Sequence, residues 1–159
     1  MPQRSPRGPC VLIIEDFVDA REMYQVYLEY AGFCVYAAAN AVSGIELALE
    51  HRPDLIIMDA GLPGMSGWEA VQEIKSDERL KNTPVFMLTG HVLTESREKA
   101  RAVGADGFIA KPCLPDELLK VIESALSHKG KPGPWPIEGL PRAEASAISA
   151  PPTHPKRKR

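Results

Sequence analysis

Five residues with reactive side chains stand at the ends of short apolar runs. Glu15 and Asp16 follow VLII, Asp59 follows LIIM, Thr89 follows VFML, and Lys111 follows GFIA. Three carboxylates brought to one place repel: at about 4 Å and an effective dielectric near 20, each pair costs on the order of 4 kcal/mol. A cation must offset that cost. Lys111 supplies one charge. An all-oxygen set with few protein ligands and no histidine suits Mg2+, which keeps waters and takes phosphate oxygens, better than zinc. With such an ion bound, Asp59 becomes a nucleophile toward phosphorus, the metal and Lys111 neutralise charge on the transferring oxygens, and Thr89 can hydrogen-bond one of them. Taken singly, each residue reads as an ordinary loop, cap or strand-exit position. Their joint placement carries the inference.

That placement requires a particular set of elements. The runs 11–16, 33–39, 54–59, 84–90 and 107–112 read as strands with their ends, and 19–31, 42–51, 66–76, 94–103 and 115–128 as helices. Asp19, Ser66 and Thr94 are candidate N-caps, Gly32 and Gly104 suit left-handed helix ends, and Pro115 suits a first helical turn. The order is βα five times. Runs such as LII and VFML are apolar at consecutive positions, as in a parallel sheet covered on both faces. The predicted fold is therefore a (βα)5 doubly wound parallel α/β sheet, for which 2-1-3-4-5, the flavodoxin-like order, is a common strand order. Ligands of such sheets bind beyond the carboxyl ends of the strands. In this order strand 3 lies between strands 1 and 4, so Asp59 has the acidic pair on one side and Thr89 on the other. Lys111 lies two strands away, roughly 10 Å, a gap that a long side chain bridges.

The chain of 159 residues, 44% hydrophobic, has room for one ordinary domain. Its net charge of -2 conceals an uneven distribution: residues 10–128 sum to about -9 and 129–159 to about +5. An acidic folded unit argues against nucleic-acid binding, which needs clustered Lys and Arg. Seven of the fifteen prolines fall in 129–159 and three in 1–9, so the reading is one folded unit at 10–128 between two disordered tails. The closing KRKR reads as a solvated basic tail before a nuclear signal, with Trp135 and Ile137 as residues able to dock transiently. No apolar run is long enough to span a bilayer and no secretory signal is evident, so no membrane partner and a cytoplasmic location are expected. Cys10, Cys34 and Cys113 have neither zinc nor redox spacing and are expected to be reduced and mostly buried.

VLIIED, DLIIMDAGLPGMSGWE, PVFMLTG and GADGFIAKP resemble, in order and spacing, the signature blocks of the response-regulator receiver domain of two-component signalling, and the resemblance covers 10–128. It implies that Asp59 is the phosphoacceptor. It also implies that Glu15, Asp16, Asp59 and the main-chain carbonyl of Gly61 hold Mg2+, that Thr89 and Lys111 contact the phosphoryl group, and that Pro112 follows a cis bond. Phosphorylation would draw Thr89 inward and let Phe108, at the aromatic switch position, alter the surface of helix 4, strand 5 and helix 5. The implied partners are a histidine kinase or histidine phosphotransfer protein, a downstream protein, and a second copy of the chain in a phosphorylation-dependent homodimer. Some features modify the pattern. Glu15 stands where Asp is usual, Gly61 offers no side chain over the acyl phosphate, His91 presents an imidazole at the other rim, and Cys113 replaces an apolar aromatic residue.

Two other functions share part of this pattern. A haloacid-dehalogenase-type phosphatase also forms an aspartyl phosphate with Mg2+, but it needs DxD after the first strand, where this chain has ED. A docking module that works without phosphate would have no use for the complete acid, Thr and Lys set. The expected protein is a phosphoacceptor and not an enzyme, beyond self-catalysed gain and loss of phosphate.

Overall fold

The computed structural model of the chain describes residues 8–90 and 94–127, the side chains of 94–97 apart. Five strands and five helices alternate: β1 (Cys10–Ile14), α1 (Val18–Tyr30), β2 (Cys34–Ala38), α2 (Ala41–His51), β3 (Leu55–Asp59), α3 (Gly67–Ser76), β4 (Val85–Thr89), α4 (Thr94–Val103), β5 (Gly107–Ala110) and α5 (Pro115–Ser127). All strand pairings are parallel, in the order β2-β1-β3-β4-β5. This is the expected doubly wound sheet.

Strand alternation divides the core into two layers. Leu12, Ile14, Ile56, Met58, Val85, Met87 and Phe108 face α2, α3 and α4, packing on Ala48, Val71, Ile74 and Val103. Val11, Ile13, Leu55, Ile57, Phe86, Leu88 and Ile109 face α1 and α5, packing on Tyr24, Leu28, Leu118 and Ile122. Every residue of β3 and β4 is buried. Consecutive apolar residues are needed because each face of these central strands meets helices. Each such Leu or Ile contributes roughly 1.5–3 kcal/mol of burial, which makes the central strands a stiff mount for what lies at their ends.

Local chemistry fixes most boundaries. Ser66 caps α3, its hydroxyl accepting from Glu69 N at 3.2 Å. Asn40 caps α2 by accepting from Ser43 N at 2.9 Å. Pro115 opens α5, and Glu117 accepts from Leu114 N at 3.0 Å. Gly32 and Gly104 hold positive φ after α1 and α4, as expected.

Several expectations need correction. Asp19 does not cap α1: the helix starts at Val18 with Phe17 in the cap position, so Asp19 lies in the first turn, where its charge suits the helix dipole. The earlier start is set by Glu15, whose Oε1 accepts from Phe17 N at 3.2 Å, and by the bond from Arg21 N to Phe17 O at 3.0 Å. Glu15, Asp16 and Lys111 lie just past their strands instead of within them. Glu15 N still donates to Ala38 O and Lys111 N to Thr89 O, but Pro112 has no N–H to continue the ladder. Cys10 and Cys34 are half-buried, not buried; Cys113 is buried; none is in a disulfide. The Lys111-Pro112 bond is cis. The tails expected at 1–9 and 129–159 lie outside the described residues except for Gly8 and Pro9. So do His91 and the side chain of Thr94.

Candidate functional site: an acidic pocket at the strand ends

β1 and β3 are neighbours, paired Ile14 to Met58, so the residues following Ile14 and Met58 emerge side by side. Glu15 is 1% exposed, Asp59 5% and Thr89 4%, the polar residues buried in an otherwise apolar interior among the described residues. Asp16 is exposed at the rim. Glu15, Asp16 and Asp59 each offer an oxygen, and these oxygens all lie within 4.8 Å of one another.

Lys111 reaches across from β5 as the strand order requires. Its Nζ lies 3.1 Å from Glu15 Oε2 and 3.2 Å from Asp59 Oδ1. Asp59 Oδ1 also accepts from Gly61 N at 3.0 Å. A Cβ built on Gly61 meets nothing nearer than Asp59 Oδ1 at 3.8 Å, so the space over the carboxylate is open on this side. Thr89 closes β4 beside Asp59, the register pairing Asp59 with Leu88. Phe108 is buried in the same core layer, opposite Met87.

The electrostatics are those of a pocket short of positive charge. Burial pushes the Glu15 carboxyl above its ordinary value and the charge of Asp59 adds to this; the hydrogen bond and charge of Lys111 oppose the shift without cancelling it. Burial pulls the Lys111 ammonium the other way, but its bond to Glu15 and the charges of Asp59 and Glu15 win, holding it above its ordinary value and protonated. One ammonium thus faces three carboxylates. All candidate donor atoms are oxygens, two of the acids are nearly free of solvent, and the third is open to water. This set fits a small hard cation that retains waters.

Residues not singled out from the sequence hold the pocket in shape. Arg21 of α1 donates from one guanidinium nitrogen to Glu15 O at 2.9 Å and to Asp16 O at 3.4 Å, fixing the loop that carries both acids. A basic residue one turn into the helix after an acidic pair was the available signal. Tyr24 donates its hydroxyl to Cys113 O at 2.6 Å, tying α1 to the loop after Lys111. Gly67 is the first residue of α3, and its N–H donates to Ala60 O at 3.2 Å. A Cβ there would overlap the carbonyl oxygen of Asp59 and lie 2.9 Å from Ala60 Cα. Gly67→Ala therefore forces α3 away from the Asp59 loop. The expected cost is about 1–3 kcal/mol in urea unfolding, as for other overpacked sites; wild-type stability would show that the loop yields freely.

The family model described as response regulator receiver domain matches residues 11–123. The chain belongs to the response-regulator receiver family. It is 36% identical over 123 residues to the phosphate regulon transcriptional regulatory protein PhoB of Pseudomonas aeruginosa, covering 77% of this chain and 54% of PhoB, so it spans about half the length of that relative. It is 33% identical over 116 residues to the polar-differentiation response regulator DivK of Brucella anthropi, covering 73% of this chain and 94% of DivK. Among solved structures, the receiver domain of the Pseudomonas aeruginosa sensor histidine kinase PA1611, which has a magnesium ion coordinated in its active-site cleft, superposes with a TM-score of 0.69. The two are 28% identical, over 76% of this chain and 98% of that one. Receiver domains are in general phosphoacceptors rather than enzymes in the usual sense. They bind Mg2+ in an acidic pocket and work with histidine kinases or phosphotransfer proteins. Among the described residues, no helix of this receiver domain is long and apolar enough to cross a membrane.

Proposed function

We propose that this receiver domain takes a phosphoryl group from a phosphohistidine donor onto Asp59. The observation that carries the reading is the convergence of three carboxylate oxygens within 4.8 Å on one lysine that bridges two of the acids. Asp59 Oδ1 is engaged by Lys111 and Gly61 N, which leaves Oδ2 to attack. A P–O bond forms as the P–N bond to the donor imidazole breaks, and the electron pair leaves with that nitrogen. Mg2+ would be held by Glu15, Asp16, Asp59 and the Gly61 carbonyl, and would supply the positive charge that lets two anions meet. The Lys111 ammonium turns from Asp59 to a phosphoryl oxygen, and the Thr89 hydroxyl donates to another. Withdrawal of Thr89 toward the phosphate opens room for Phe108 to move, which remodels the surface of α4, β5 and α5 for a downstream protein or a second copy of the chain. Gly61 and His91, each two residues after a site residue in the sequence, set how fast water reaches the acyl phosphate.

Exposed apolar side chains border the pocket mouth: Phe17 directly after the acidic pair and Leu114 shortly after Lys111, both 60% exposed. Val18, the first residue of α1, is exposed beside Phe17, and a donor protein seats there with its phosphohistidine over Asp59. The arrangement does not favour a phosphatase, since the nucleophile closes the third strand and not the first.

The reading is tested with acetyl phosphate. In Mg2+ the intact protein gains the mass of one phosphoryl group, and chelation with EDTA prevents the gain. Labelling without metal, or none with it, would overturn the assignment.

Two further outcomes follow from the charge balance. Asp16→Ala weakens Mg2+ binding by about tenfold or more in titration calorimetry; unchanged affinity would remove Asp16 from the ligands. Glu15 gives a pH signature. Its folded-state pKa is raised, so its contribution to stability is fully present below the unfolded carboxylate value and is lost as pH rises through the folded value. Mg2+ binds the ionised form and reverses that loss. The rise in Tm on adding Mg2+ is therefore small below the ordinary carboxylate value and grows as pH rises through the raised value of Glu15; a rise independent of pH would contradict it.

A further inference from the structure

Cys10 and Cys34 are distant in sequence and adjacent in the fold. β1 and β2 pair in parallel from their first residues, and the register sets Cys10 opposite Cys34. Side chains alternate along a strand, so both thiols lie on the face of Leu12, Ile14, Tyr36 and Ala38, the layer that α2 covers. Neighbouring strands run about 4.8 Å apart, within the roughly 4.4–6.8 Å that a disulfide spans between Cα atoms. Each cysteine opens its strand and is half-buried, so the pair lies at the margin of the sheet and not in its closed core.

The surroundings tie these groups into one cluster. The Tyr36 phenol is pushed above its ordinary value first by its hydrogen bond to Cys34, then by burial, then by the Cys34 and Cys10 sulfurs. The Tyr36 ring stacks on His51 with centroids 3.9 Å apart and planes 12° from parallel. This cluster sits at the amino ends of the strands, opposite the Asp59 pocket.

We propose that Cys10 and Cys34 form a redox-sensitive dithiol that a hydroperoxide converts to a disulfide, stapling the edge strand β2 to β1. One sulfur, as thiolate, attacks the peroxide O–O bond and becomes a sulfenic acid as hydroxide leaves. The second thiolate attacks that sulfur, the S–S bond forms, and the remaining oxygen leaves as hydroxide. With the two thiol protons, both hydroxides become water: two thiols lose two electrons, and hydrogen peroxide gains them. In a reducing compartment such a bond is transient and reports oxidant. Cys113, buried at the other end of the sheet, takes no part.

The test treats the folded full-length protein with hydrogen peroxide, blocks remaining thiols with N-ethylmaleimide, and maps peptides without reduction. The expected result is a peptide pair joining Cys10 to Cys34, one blocked thiol at Cys113, and recovery of the two linked thiols with dithiothreitol. Cys34→Ser and, separately, Cys10→Ser give no internal link. Oxidation in urea is the control for proximity, and there Cys113 joins the mixture of links. Links between molecules in the native sample, a native link through Cys113, oxygen adducts without a link, or no reaction would overturn the proposal.

Discussion

Asp59→Asn takes up no phosphoryl group from acetyl phosphate in Mg2+, a loss on the order of 10³-fold or more, as expected when a covalent nucleophile is removed. The amide keeps an oxygen to accept from Gly61 N, so the loop that presents it persists. It also deletes one of three crowded negative charges, so the variant remains folded and loses no stability at neutral pH in the absence of metal. Intact mass and thermal unfolding check the two halves. Labelling at the wild-type rate would move the acceptor elsewhere, and a collapse in Tm would mean that Asp59 is held for structure and not for chemistry.

Lys111→Ala has the next largest effect. The ammonium faces two acids at 3.1 and 3.2 Å, and no other described cation contacts their carboxylate oxygens. Its removal takes away a positive group aimed where charge gathers during transfer, a loss of about 10²–10³-fold in labelling rate. It also leaves the buried Glu15 and Asp59 facing each other. The lysine side chain is 33% exposed, so solvent screens part of the pair, and the stability cost is on the order of 1–3 kcal/mol instead of the larger figure for a fully buried ion pair. The charge account adds a specific requirement: both lower pH and Mg2+ restore much of the lost stability, because each relieves the same repulsion. A Tm deficit that neither restores would assign Lys111 a packing role through its methylenes.

Legibility from the sequence followed the physics of each feature. The central strands were plain because burial on both faces leaves VLII, LIIM and VFML apolar at every position, and the pocket was plain because parallel strands aim their carboxyl ends at one rim. Given the strand order 2-1-3-4-5, Lys111 falls two strands from Asp59, and its side chain bridges that gap. Helix starts were harder. Asp19 has the chemistry of a cap, yet α1 begins earlier because Glu15 accepts from Phe17 N, a bond that depends on where β1 ends. Arg52 adopts a left-handed conformation after α2, held by bonds from its guanidinium to Leu49 O and Arg79 O that no local propensity encodes. Gly67 and the Cys10 and Cys34 pair were hidden for a related reason: their importance lies in contacts with distant residues, set by helix packing and strand register. Lys75 is of the same kind, an ordinary helix lysine in sequence that binds Asp106 at 2.7 Å and Thr83 O at 2.8 Å in the fold.

An aspartyl phosphate differs from other phosphoamino acids in being an acyl phosphate, which borohydride reduces to an alcohol. The decisive measurement is therefore borohydride trapping of the phosphorylated protein followed by peptide mapping. The pocket described here predicts homoserine at position 59 in Mg2+, and unmodified Asp59 when the metal is chelated. Reduction at any other carboxylate, or phosphate that survives borohydride on a hydroxyl or imidazole, would contradict it.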